Sequence, residues 1–162
     1  MGLKVRFVTK KGVNHEAYWT IDGTELVVYN KKANSKTDNI LSLIHEIGHH
    51  VWFIHEKNRK KDERLEKALD RQDEFEENTN ENPAPKKLRE KILNMERAST
   101  DYWYTIYKDT NLKFPLWKLY AQMEFDVWQY EVYYDTGHFP RFMERRAKWK
   151  DIARKHKNKQ YE

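Results

Sequence analysis

Leu41-Ser42-Leu43-Ile44-His45-Glu46-Ile47-Gly48-His49-His50 is the stretch on which the reading of this chain turns. It holds two histidines four residues apart, with a glutamate directly after the first. On an α-helix each residue advances about 100° around the axis. His45 and His49 then stand one above the other, about 40° apart, and two imidazoles can reach one metal ion. Glu46 lies about 60° from His49 by the same arithmetic, where a carboxylate can take a proton from a water that the metal activates. Zinc lowers the pKa of such a water to about 7, so a carboxylate can deprotonate it at neutral pH. The H-E-x-x-H spacing of His45-Glu46-Ile47-Gly48-His49 thus has a chemical reason.

The surrounding residues predict the helix that this geometry needs. Ile40, Ile44, Ile47, Val51 and Ile54 recur at spacings of four and three, an amphipathic stripe. Thr37, Asp38 or Asn39 offers an N-cap. The two histidines lie beside that stripe, at the edge of the expected core. Gly48 costs helix stability relative to alanine, which is understandable if another segment passes close to the metal face.

Composition limits the classes available. A chain of 162 residues predicts one domain. Charged residues make up 35% and mean hydropathy is −1.08, yet aromatics reach 14%, which points to a soluble protein with a small aromatic core rather than a disordered chain. No apolar run approaches a membrane span, and Met1-Gly2-Leu3-Lys4 leads into a strand-like segment without the apolar region of a signal peptide. The expectation is a cytoplasmic protein with no membrane association. The lack of cysteine removes disulfides and thiolate metal sites, so any metal must be held by His, Asp or Glu.

Residues 3–31 predict a short sheet from Val5-Arg6-Phe7-Val8, Ala17-Tyr18-Trp19-Thr20-Ile21 and Leu26-Val27-Val28-Tyr29, with a hairpin turn at Asp22-Gly23. An edge strand of such a sheet can pair with an extended peptide through main-chain hydrogen bonds. From about 56 to 108 we expect an inserted charged helical hairpin. Its first arm carries Leu65, Ala68, Leu69 and Phe75, a loop follows at residues 78–85, and the second arm carries Leu88, Ile92, Met95, Ser99, Tyr102 and Ile106.

A further helix is expected over 116–134, with Leu116, Tyr120, Met123, Val127, Tyr130 and Tyr134 on one face and Thr136-Gly137 at its end. Glu124 flanks that stripe. Catalytic zinc takes three protein ligands and leaves a position open, so the two histidines require one more. Glu124 is the first choice, and two rivals stand beside it. Glu96, in Met95-Glu96-Arg97-Ala98-Ser99, also flanks a helical stripe and has a small residue three positions on. His55 falls ten residues after His45, at the third-histidine position of H-E-x-x-H-x-x-G-x-x-H. That pattern needs a glycine where this chain has Trp52, a residue poorly suited to positive φ.

The short sheet, His45-Glu46-Ile47-Gly48-His49-His50, and Glu124 opening an E-x-x-small pattern together resemble the small gluzincin metallopeptidases of the ImmA/IrrE type, often carried by phages and mobile elements. The resemblance covers roughly residues 26–50 and 120–131. It implies an intracellular Zn2+ protease with His45, His49 and Glu124 as ligands and Glu46 as general base. The chain departs from that family in its long charged insertion and in Val127, where the family commonly has alanine.

Between Arg141 and Lys159 nine Lys and Arg face two acidic residues, with Phe142, Trp149 and Ile152 on one helix face. We expect a basic terminal helix that packs through Phe142 and Trp149; its charge also suits nucleic acid or an acidic protein. The sequence therefore predicts a single α+β, zincin-like domain: a short N-terminal β-sheet, the active-site helix and further helices. Its expected activity is hydrolysis of peptide bonds in an intracellular protein or peptide substrate, with Tyr130, Tyr134 or His138 assisting the oxyanion. The alternatives are a non-catalytic zincin-fold binding protein contacting protein or DNA partners, a metzincin-like protease using His55, and a zinc hydrolase acting on another substrate.

Overall fold

The computed structural model describes residues 4–8, 17–19, 25–29, 35–60, 71 and 82–161. Most of the first arm of the expected hairpin, the Asp22-Gly23 turn and the first half of the loop at 78–85 lie outside these. The described elements make a mixed α+β architecture: strands β1 (Lys4–Val8), β2 (Ala17–Trp19) and β3 (Glu25–Tyr29), then helices α1 (Lys36–Lys60), α2 (Lys86–Thr100), α3 (Trp103–Asp109), α4 (Leu116–Thr136) and α5 (Phe142–Lys157). No helix among the described residues is long and apolar enough to cross a membrane.

The chain divides into two compact units, one of residues 1–61 with 98–112 and one of 62–97 with 113–162. The second arm of the expected hairpin is therefore shared: α2 begins in one unit, and its last turn belongs to the other with α3. The stripe expected to run through Ile106 is broken at Asp101-Tyr102, where α2 ends and α3 begins.

In the first unit the strand order is β1-β3-β2, with β1 parallel to β3 and β2 antiparallel to it. Lys4 pairs with Glu25 and Val8 with Tyr29. Alternate residues of a strand face opposite sides, yet Leu26, Val27 and Val28 are all buried, so both faces of β3 are covered. β1 is an edge strand with Val5 and Phe7 exposed. Glu25 accepts from Arg6 at 3.1 Å, tying this edge to the centre through an exposed pair.

Helix α1 packs on β2, β3 and α3. Its start is fixed by Ser35: the Asp38 N–H donates to Ser35 Oγ at 3.2 Å, and the Ser35 N–H donates to the Asp38 carboxylate at 2.8 Å. This reciprocal cap replaces the N-cap expected at 37–39, because a serine followed three residues later by an acid satisfies two orphan donors. The buried face also differs from the expected stripe. Leu41, Ile44, His45, Gly48, His49 and Phe53 are inside, whereas Ile54 is exposed. The helix is rotated so that the histidines point into the core rather than along its edge.

Gly48 explains the rotation. A Cβ there would meet Trp103 Nε1 at 2.7 Å, Trp103 Cδ1 at 2.8 Å and the Ser99 carbonyl oxygen at 2.9 Å. Trp103 and Ser99 are themselves wholly buried. The end of α2 and the start of α3 are thus seated on the α1 backbone, at a spacing that only glycine permits.

The second unit pairs α2 with α4 and α4 with α5. Ile92 and Leu93 pack with Ala84, Tyr133 and Tyr134; the Ala84 N–H donates to the Tyr134 carbonyl at 2.9 Å, and Arg97 donates to Glu131 at 2.6 Å. α4 ends as expected at Gly137, whose φ of 79° is left-handed. Ala121, Phe125 and Ile152 form the α4–α5 core, edged by Trp117, Trp128 and Trp149. Phe142 does not pack as expected: its side chain is 73% exposed. It occupies the first turn of α5, ahead of the Trp149–Ile152 contact that holds the helix.

Gly48→Ala tests the close approach. Helix propensity alone would favour alanine by ~1 kcal/mol. The clash with a buried indole and a backbone carbonyl should outweigh this and give a net loss of about 1–3 kcal/mol in urea unfolding; a variant as stable as wild type or more so would refute the contact.

Candidate metal centre

Helix α1 places His45 and His49 on one buried face, each 7% exposed. Their Nε2 atoms face each other at 2.9 Å, and the rings meet edge to face with centroids 4.7 Å apart. Glu96 stands near the end of α2, 3% exposed and one helical turn before Ser99. One ligand atom from each of His45, His49 and Glu96 lies within 4.8 Å of the other two. Among the described residues this is the group that could hold a metal ion.

The donor set fits such an ion. An isolated buried carboxylate is costly, and two imidazole nitrogens converge beside this one. A dication would supply the countercharge and could use all three donors. Trp103 closes the other side of His45, with ring centroids 5.3 Å apart and nearly perpendicular planes. Its Nε1–H is buried and has no hydrogen-bond acceptor among the described residues. The indole is held against Gly48 by shape rather than by a hydrogen bond. Glu46 follows His45 on α1 and is half-buried. Burial also lowers the pKa of the neighbouring His50, which favours its neutral form.

The remaining sequence candidates sit elsewhere in their own surroundings. Glu124, the first choice for third ligand, has its carboxylate held by Lys155 Nζ at 2.6 and 2.8 Å and by His156 Nε2 at 2.8 Å. His156 is buried, and its Nδ1 contacts the Tyr161 hydroxyl. The Tyr161 and Tyr120 rings stack with centroids 4.5 Å apart. Glu124 thus anchors the end of α5. His55 is exposed and stacks on Tyr102 at 5.4 Å, because α1 continues past Trp52 to Lys60 without a turn. Tyr134 is wholly buried in the α2–α4 core, Tyr130 packs against that core, and His138 is exposed.

Sequence reasoning did not single out Trp103, and it held Glu96 only as a rival to Glu124, with His55 as the sharper one. The signal for both was present. Glu96-Arg97-Ala98-Ser99 carries a truly small residue at its fourth position, where Glu124-Phe125-Asp126-Val127 does not. Ser99 is the residue whose backbone carbonyl crowds Gly48. No family model, curated protein or solved structure matches the chain. The reading of the site therefore rests on its own residues.

Glu124 predicts an acid-side stability term. Burial would push its carboxyl up, but hydrogen bonds and charge from Lys155 and His156 outweigh this and hold it below the usual carboxylate range. A depressed folded-state pKa contributes stability above the unfolded value of about 4.3 and loses it as pH falls through the folded value. Thermal unfolding followed from pH 7 to pH 3 should show Glu124→Gln less stable than wild type at pH 7, with the gap narrowing below pH 4. A gap that stays constant over that range would contradict the pairing.

Proposed function

We propose that this chain is a zinc-dependent, zincin-like metallopeptidase in which His45, His49 and Glu96 hold the metal and Glu46 is the general base. The observation that carries the reading is the buried grouping of two imidazoles and a carboxylate within 4.8 Å, with Glu46 adjacent on the same helix. Two histidines and a carboxylate form a recognised catalytic zinc set, which leaves a coordination position open. The two Nε2 atoms already converge to 2.9 Å, so His45 and His49 would hold one ion together with Glu96.

Bound zinc supplies Lewis acidity, polarising a carbonyl and making water a competent nucleophile near neutral pH. The protein's part is placement and proton movement. His45 and His49 are fixed by the packing of α1 on the sheet and on Trp103. Glu46 takes a proton from the attacking water and returns it to the departing amine nitrogen, so the amide C–N bond breaks with charge balanced. The edge strand β1, whose outer side chains are exposed, offers main-chain groups to an extended peptide. The substrate class that suits these parts is an unfolded or extended segment of a protein. The order of short sheet followed by a histidine-bearing helix supports the zincin-like assignment.

The test is cleavage of a peptide library by zinc-loaded protein, read by mass spectrometry of new N-termini. Wild type should cut at defined positions and lose activity with chelator. Glu46→Gln should keep its zinc and lose 10²-fold or more in rate, in the range of general-base removal (~10²–10⁴). Undiminished cleavage by Glu46→Gln, or none by zinc-loaded wild type, would overturn the assignment.

A further inference from the structure

Helix α5 carries a surface that the peptidase reading does not use. Between Arg141 and Lys159 there are nine basic and two acidic residues. Arg154 pairs with Asp151 at 2.9 Å and Lys155 with Glu124 at 2.6 Å. The other seven have no acidic partner among the described residues. Lone surface cations are ordinary; an ordered row of them beside an open aromatic ring is not. By helical arithmetic Arg146, Lys157 and Lys150 fall within about 40° of one another, on one flank of α5. Phe142 lies about 40° beyond Arg146 on that flank, and Arg145 and Arg146 are its i+3 and i+4 neighbours. Phe142 is 73% exposed and the adjacent Met143 67%. At the far end, Lys157 Nζ sits 4.7 Å over the Trp117 ring, which fixes that ammonium along the α4–α5 seam.

We propose that this flank of α5 binds single-stranded nucleic acid, with phosphates along Arg146, Lys150 and Lys157 and an unstacked base on Phe142. The row spans about 22 Å from Phe142 to Lys157 at 1.5 Å per residue. Cations tracking a backbone, joined by aromatic rings that receive bases, are what sequence-tolerant single-strand binding requires. Two competing partners fit less well. An anionic membrane surface needs an apolar face along the length of the helix, but the apolar face of α5 (Trp149, Ile152 and Ala153) is turned onto α4. A duplex keeps its bases stacked on each other, which leaves an exposed Phe142 without a role. The proposal is independent of the metal centre, so either can fail alone.

The experiment is fluorescence anisotropy of the full chain with labelled dT15, rU15, a 15-base-pair duplex and phosphatidylserine vesicles, over a range of salt. At least one single strand should bind more tightly than the duplex, and the stronger of the two assigns DNA or RNA. Single-strand affinity should fall with salt at about −0.7 per phosphate contact on a log–log plot. Arg146→Ala with Lys150→Ala should flatten that slope by about 1.4. Phe142→Ala should weaken binding about tenfold and leave the slope unchanged. These side chains are exposed, and unchanged circular dichroism checks that the variants fold. Absence of single-strand binding at low salt, tighter binding to the duplex or vesicles, or binding indifferent to Phe142→Ala would overturn the proposal.

Discussion

The contact of Gly48 with Ser99 and Trp103 is the constraint on which the site depends. Helix α1 would be more stable in isolation with alanine at that position, and the chain forgoes this so that a second segment can lie directly on the helix backbone. A Cβ at Gly48 would stand 2.9 Å from the Ser99 carbonyl. Ser99 is small, wholly buried, and one turn after Glu96 on the same helix. The close seat at Ser99 is therefore what carries a carboxylate to the two imidazoles. A side chain at Gly48 would hold the helix ends farther apart, and three buried polar groups would lose their common point.

A buried His-His-Glu group is a poor way to stabilise a fold. Desolvating polar and charged groups is unfavourable unless each is well paired, and apolar residues of similar volume would fill the same space at less cost. The surroundings supply the compensation. The sheet below α1 is centred on Leu26, Val27 and Val28, all buried, and Trp103 covers the ring of His45. The second unit is built on different lines: tyrosine stacks, a tryptophan-edged core, a left-handed Gly137 cap, and the Glu124–Lys155–His156 cluster that fastens the end of α5. Its charged residues are used for anchoring and leave an exposed basic flank.

Much of this arrangement was legible in the sequence. The H-E-x-x-H spacing fixed α1 and its histidines, because helical periodicity is a local property. The continuous apolar run Leu26-Val27-Val28-Tyr29 and the glycine at 137 gave β3 and the end of α4 for the same reason. What local pattern could not give was which of two carboxylates meets the histidines. Glu96 and Glu124 both flank apolar stripes, and the choice depends on a contact between segments some fifty residues apart. Phe142 was misjudged on similar grounds: it has the right period to pack with Trp149, yet its side chain stays 73% exposed. The rotation of α1 was hidden because Gly48 and the histidines do not score as apolar, although they form the buried face.

The most direct test of the central claim is zinc per chain, measured by elemental mass spectrometry on protein prepared in metal-free buffer and reloaded, for wild type, Glu96→Ala and Glu124→Ala in parallel. Close to one zinc is expected in wild type and in Glu124→Ala, and little or none in Glu96→Ala with the fold retained by circular dichroism. Zinc kept by Glu96→Ala and lost by Glu124→Ala, or no zinc in wild type after reloading, would contradict it.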